Sequence, residues 1–217
     1  RHDGTDKVTG AAKYGADFYA AGMLFGKVLR SPHAHARIKS IDTSKAEAFD
    51  GVRAVVTAKD LPNAEWTYAR DEVMAKAKVV YKGHPIAGVA ATSVHIAEQA
   101  LELIDVEYEI LPGVTDILEA MKPGAPVLHE RLANATDANV RPGGLRDEED
   151  RSASTNVANH FFFEAGDIEQ GFKDADVIIE REFRTESVHQ GYIEPHTATA
   201  DWNENGNLTI WSSSQGH

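Results

Sequence analysis

The sequence has no cysteine among its 217 residues. That excludes a disulfide framework, a thiolate-bound metal and any iron–sulfur cluster held by the chain itself. It has no apolar run approaching the roughly 18 residues that a membrane helix needs. Positive charge is scarce: 22 Lys and Arg stand against 34 Asp and Glu, a formal net charge of −12. Such an acidic surface disfavours non-specific binding to nucleic acid or to an anionic membrane. Internal repeats and low-complexity tracts are also missing. The opening Arg1-His2-Asp3-Gly4 carries neither an initiating methionine nor a signal-peptide layout, as expected of a piece with upstream residues missing; the expected location is cytoplasmic. What is present is ordinary for a globular protein, with 42% hydrophobic and 26% charged residues. The length allows one or two domains.

Alternation of apolar and polar residues predicts strands over 24–30, 36–41 and 52–57. Ser31-Pro32-His33 breaks the first of these, because proline lacks an N–H and biases its neighbour away from helix. Thr43 or Ser44 is placed to cap a short helix over Lys45–Phe49, and Asp50-Gly51 makes a turn. Residues 78–92 read as strand, turn and strand, with the turn at Lys82-Gly83-His84-Pro85. The run Ile86–Ala91 is nearly all apolar, as a strand covered on both faces should be. Thr92 or Ser93 then caps a helix to about Asp105, with Ile96, Ala97, Ala100, Leu101 and Ile104 on one face. Val106–Leu111 alternates again, so strand–helix–strand occurs twice, here and over 36–57.

From Lys122 to Ser154 the composition turns to proline, glycine and charge, including Arg146-Asp147-Glu148-Glu149-Asp150-Arg151. This reads as a linker with a solvated charge run. Beyond it, Val157–Glu164 is strand-like, Asp167 caps a helix over Ile168–Asp174, and a long β segment starts at Asp176. Residues 196–202 and 208–213 form a hairpin closed by Asn205-Gly206, a two-residue turn signal. The fold class is α+β. Both chain ends read as abrupt, since strand-like Leu208–Trp211 is followed by only six residues.

Several stretches, in order, carry a family likeness. Arg1-His2-Asp3-Gly4-Thr5-Asp6-Lys7-Val8-Thr9-Gly10-Ala11-Ala12-Lys13-Tyr14 resembles the opening of the molybdenum-binding subunit of the xanthine dehydrogenase and aldehyde oxidase family. Leu24–Ala36, with Arg30-Ser31-Pro32-His33-Ala34-His35, resembles its first strand and turn, and Lys82–Ala91 its second strand. Val106–Pro112 resembles the third strand; Gly166–Phe172 and Tyr192-Ile193-Glu194-Pro195-His196 resemble the opening of its cofactor-binding region. The resemblance implies an α/β hammerhead domain over 1–125 with an N-terminal lead segment. It further implies a linker over 126–155 and the beginning of a molybdopterin-binding domain over 156–217. The implied cofactor is a molybdenum-pterin, often a cytosine dinucleotide in bacteria. The implied reaction hydroxylates an N-heterocycle or aldehyde with oxygen from water, and electrons leave to iron–sulfur and FAD partners.

Within that frame, Gln215 in Ser212-Ser213-Ser214-Gln215 matches the family glutamine whose amide donates to an oxygen ligand of molybdenum. A neutral amide orients such a ligand without adding charge; outside the family frame it would read as a surface residue after a strand. Glu194 matches a family carboxylate near the cofactor cavity, with a structural role favoured over substrate contact. The family's general base is a glutamate expected outside this chain, so no catalytic residue is assigned and the chain alone is expected not to catalyse. His33, His35, His84, His95, His189, His196 and His217 lack zinc-site spacing, and no metal-ligating residue is expected. The competing expectation is a separate small interaction subunit of a split enzyme. A third, less favoured, is a stand-alone small-molecule binding domain. The remainder of the molybdenum subunit, the iron–sulfur and flavin subunits, and a second copy of the chain are the partners to consider, the last through an unpaired β edge.

Overall fold

The computed structural model describes residues 2–61, 73–129, 156 and 165–213. In chain order the elements are helix α1 (Gly4–Thr9), a 3₁₀ turn (Gly15–Asp17), and strands β1 (Phe25–Arg30) and β2 (Ala36–Asp42). Next come helix α2 (Ser44–Glu47) and strands β3 (Val52–Thr57), β4 (Lys78–Val79) and β5 (Pro85–Ala91). They are followed by helix α3 (Val94–Glu102), strand β6 (Asp105–Ile110) and helix α4 (Ile117–Ala120). Helix α5 (Ile168–Asp174) and strands β7 (Ala198–Trp202) and β8 (Leu208–Ser212) complete the set. Two compact units result, one of residues 24–166, the other of residues 1–23 with 167–217.

The first unit holds two three-stranded antiparallel sheets, ordered β1-β5-β3 and β4-β2-β6. β5 is central and apolar on both faces because each face meets a core. Ala87, Val89 and Ala91 pack with Ala46 of α2 and Ala97, Ala100 and Ile104 of the α3 segment. Ile86, pointing the other way, packs with Ala36, Ala75 and Val79. Small residues let the helix lie close on the strand, and Gly88 leaves room for Val56, whose Cγ2 would be 3.1 Å from a Cβ there. The two strand–helix–strand units expected from the pattern are both formed, and each changes sheet: β2-α2-β3 in one direction, β5-α3-β6 in the other.

Three details differ from the sequence reading. β4 ends at Val79, short of the expected Tyr81, and pairs with β2, while β5 pairs with β1 and β3. The 80–84 turn crosses between sheets because the buried His84 is fixed there, its carbonyl accepting from Ser31 N at 3.0 Å. α3 starts as expected, Ser93 Oγ accepting from Ile96 N at 3.2 Å, but ends at Glu102 and not Asp105. Its last turn tightens through Leu103 N→Ala100 O and Ile104 N→Leu101 O, which frees Asp105 to pair with Asp42. α2 lies at Ser44–Glu47, and the Thr43 hydroxyl donates to Glu47 Oε1 (2.6 Å) instead of capping. Asp42 Oδ1 accepts from Ser44 N in its place (3.0 Å).

The exposed face of the β2–β6 ladder carries the ion pairs Arg37–Glu109 at 3.2 Å and Lys39–Glu107 at 3.5 Å, which contribute little each at such exposure. Of the expected linker, residues 126–129 are described, and Asn156 ties them back. Its Nδ2 donates to Ala120 O (3.0 Å) and Pro126 O (2.9 Å), and its Oδ1 accepts from Leu128 N (2.9 Å). The charge run 146–151 and the strand expected over Val157–Glu164 lie outside the described residues.

In the second unit, Asp167 caps α5 as expected, its Oδ1 accepting from Gln170 N at 2.9 Å. The long β segment expected from Asp176 is not a strand: residues 177–192 join no ladder among the described residues. Its alternation is real, but a strand exists only where a partner supplies hydrogen bonds. The β7–β8 hairpin forms in the register Ala198↔Ser212 to Trp202↔Leu208. Its turn centres on Glu204-Asn205, closed by Gly206 N→Asn203 O at 3.0 Å, and Gly206 follows at φ +80°. The Asn-Gly pair is thus split between turn and left-handed residue, the three-residue arrangement.

Because Ile86 is fully enclosed between the two sheets of the first unit, Ile86→Ala should cost about 2–5 kcal/mol of stability. Ile110→Ala, at 69% exposure, should stay within about 0.5 kcal/mol of the unmodified protein. Urea denaturation of the two variants checks the contrast.

Candidate functional site

The open end of the β7–β8 hairpin lies beside Pro195, the residue that follows the candidate Glu194. Beyond the last strand pair, the ladder is continued by one serine. Ser213 N donates to Thr197 O at 3.2 Å, and the Ser213 hydroxyl accepts from Thr197 N at 3.2 Å and donates to Pro195 O at 3.2 Å. A hydroxyl suits this position because it donates and accepts at once.

Pro195 follows Glu194. Glu194 is exposed, in a segment shaped by aromatic contacts. The Tyr192 ring stacks on His196 with centroids 4.6 Å apart and lies 5.4 Å from His189. His189 Nδ1 accepts from Gly191 N (3.0 Å), and Gly191 has φ +63°, so the turn needs glycine. Gln215 lies outside the described residues, two positions after Ser213.

The N-terminal segment reaches the same hairpin. Tyr14 N donates to Asp17 Oδ2 (3.0 Å) and Asp17 N to Tyr14 O (2.9 Å), which closes the 3₁₀ turn. Phe18 then stacks on Trp211 of β8, centroids 4.5 Å apart and planes at 22°. Gly15 lies so close to Thr197 that a Cβ on it would overlap the threonine Oγ1. No sequence signal marks this contact, since Gly15 lies outside any motif and 182 positions from its neighbour.

The remaining histidines do not converge. His33 meets Tyr108 edge-on at 4.9 Å, His95 is exposed near Glu98, and His217 is outside the described residues. His35, 6% exposed, bonds through Nδ1 to Pro112 O at 2.5 Å, while its Nε2 has no hydrogen-bond partner. His84, 2% exposed, stacks on Tyr81 at 4.6 Å and accepts from Val80 N through Nδ1 at 3.4 Å. These imidazoles fasten strand ends in the first unit. Among the described residues, no group of three or more His, Asp and Glu could hold a metal ion. Nor is any helix among them long and apolar enough to cross a membrane.

Residues 9–112 match the family described as aldehyde oxidase and xanthine dehydrogenase, a/b hammerhead domain, and residues 150–217 match the molybdopterin cofactor-binding domain. The chain is 37% identical to a probable xanthine dehydrogenase subunit of Bacillus subtilis, over 99% of its own length and 26% of the relative's. It is 38% identical to the carbon monoxide dehydrogenase large chain of Afipia carboxidovorans, over 95% and 25%. Among solved structures, the CO dehydrogenase of Oligotropha carboxidovorans superposes with a TM-score of 0.77 at 34% identity, covering 98% of this chain and 26% of that one. Quinoline 2-oxidoreductase of Pseudomonas putida gives 0.77 at 28% identity, covering 99% and 26%. The chain thus spans about a quarter of the length of these relatives.

Burial raises the Tyr108 phenol above its ordinary value of 10.0, and the hydrogen bond with Ser31 offsets only part of this. Its contribution to stability is therefore present below pH 10 and lost as the pH rises through the folded-state value. Ultraviolet tyrosinate titration of the native protein against Tyr108→Phe should assign the variant's missing step to a point above pH 10; a step at or below 10 contradicts this placement.

Proposed function

The chain belongs to the aldehyde oxidase and xanthine dehydrogenase family, an α+β hammerhead domain followed by the start of the molybdopterin cofactor-binding domain; from this we propose that it serves a molybdenum hydroxylase. The reaction class is the hydroxylation of a carbon in an N-heterocycle or aldehyde. One water supplies the oxygen, and two electrons and two protons leave. The single observation that carries the reading is the match of hammerhead and cofactor-binding descriptions in that order on one chain, with Glu194 and Gln215 inside the second. Relatives named for xanthine, carbon monoxide and nicotinate share this match at 32–38% identity, so the substrate is set elsewhere than in what they have in common.

The donor set suits an organic cofactor. Tyr192, His196 and Glu194 are exposed on one segment. Hydrogen bonding and ring contact are what such groups provide. The pterin cofactor, when bound, supplies the redox chemistry. In this reading the Gln215 amide donates a hydrogen bond to it, a neutral donor that orients without adding charge. Glu194, the residue before Pro195, is given a structural role beside the cofactor and not substrate contact. The general base lies outside the chain, as do the iron–sulfur and flavin partners that take the electrons. The cytosine dinucleotide form of the pterin and a cytoplasmic location belong to the same reading.

In the full-length protein, Gln215→Ala should lower turnover by about tenfold or more and change the molybdenum electronic spectrum. Wild-type turnover with an unaltered spectrum would overturn the assignment.

A further inference from the structure

We propose that Ser213 and Gly15 are positioning residues for the cofactor-binding edge, and that the N-terminal segment Tyr14–Phe18 works as part of the cofactor-binding unit. The proposal rests on the reading that Glu194 and Gln215 serve the cofactor. In the sequence, Glu194 immediately precedes one end of a latch, and Gln215 follows the other end by two positions. Pro195, the neighbour of Glu194, offers its carbonyl to the Ser213 hydroxyl, and Ser213 is two residues before Gln215. The same hydroxyl accepts from Thr197 N, and Ser213 N donates to Thr197 O. Three hydrogen bonds through one residue therefore fix where the two chain segments part. Backbone pairing alone would leave the exit of β8 frayed, as hairpin ends are.

The latch is backed from the N-terminal side. A side chain on Gly15 would run into Thr197 Oγ1, well inside any contact real atoms make. Thr197 branches at Cβ, so of its three staggered rotamers only the one that turns the hydrogen toward Gly15 keeps a heavy atom out of that space. Gly15 is not needed for a left-handed backbone, since it is not among the positive-φ glycines. It is needed for space. The Phe18–Trp211 stack holds the segment in place three residues further on. Residues 14–18 thus sit within a stretch matched to the hammerhead description, yet their contacts are with the hairpin of the other match. Thr197 Oγ1 has no hydrogen-bond partner, so removing it opens the space without breaking a bond.

The test uses the full-length protein purified with its pterin cofactor. Gly15→Ala, Thr197→Ala, the double variant, Ser213→Ala, Ser213→Thr and Gln215→Ala are compared. The readouts are molybdenum retained per chain after gel filtration, the rate of its release, and the melting midpoint. Gly15→Ala and Ser213→Ala should release molybdenum about tenfold faster than the unmodified protein. Ser213→Thr, which keeps the hydroxyl, should retain it, and Gly15→Ala with Thr197→Ala should return to within about twofold of the unmodified rate, the coupling expected of atoms in contact. Unchanged release in Ser213→Ala while Gln215→Ala accelerates it overturns the latch and leaves the functional reading intact. Absence of rescue in the double variant also overturns it. Wild-type release in Gln215→Ala counts against the functional reading, separately from the latch. Should Gly15→Ala fail to fold, the Ser213 pair alone decides.

Discussion

The first unit depends on a seven-residue strand that must be covered on both faces. β5 sends Ala87, Val89 and Ala91 to one core and Ile86 to another, so neither core exists without it. A strand apolar on both sides cannot sit at an edge or face water. It is therefore central, with β1 and β3 on its flanks. Small residues on β5 and on α3 then set how near the helix lies, and the helix in turn delivers the chain to β6 in the other sheet. The two strand–helix–strand connections follow from that one requirement, because each must carry the chain from one sheet's layer to the other's.

Polar side chains hold the places where apolar packing stops. Ser31, His35 and His84 are buried at strand ends. Ser31 N and Gly83 N exchange hydrogen bonds with the His84 and Ser31 carbonyls across the two turns (3.0 and 2.9 Å). Arg30 Nη1 adds a bond to Gly83 O at 2.9 Å. Buried turns carry backbone groups that sheets do not satisfy, and such local bonds answer that demand. His35 and His84 thus act as structural fastenings here. The second unit is organised differently: its described part is a short capped helix, a hairpin and the N-terminal segment. Apolar residues such as Ile178, Ile179 and Ile193 remain exposed, Ile193 completely. Its polar latch at Ser213 has the same logic as the Ser31 knot, one hydroxyl serving two backbone groups where strands end.

The sequence alone determined what depends on neighbours in the chain. Alternation located β1, β2, β3 and β6, the Asn205-Gly206 turn signal located the hairpin, and Ser93 and Asp167 marked helix starts because a cap acts within three residues. The continuous apolar run at 86–91 showed a strand buried twice. Ordered motifs pointed to the family, and with it to Gln215 and Glu194 as candidates. Tertiary structure decided what depends on partners distant in sequence. It separated β4 from β5, because pairing is chosen by which strand can share a core and not by which is next. Among the described residues it left 177–192 without a ladder despite the alternation of 177–185, since a pattern supplies side chains but not hydrogen-bond partners. And it brought Gly15 against Thr197 and Ser213 against Pro195, contacts whose reason is space and unsatisfied backbone groups, neither of which a one-dimensional pattern records.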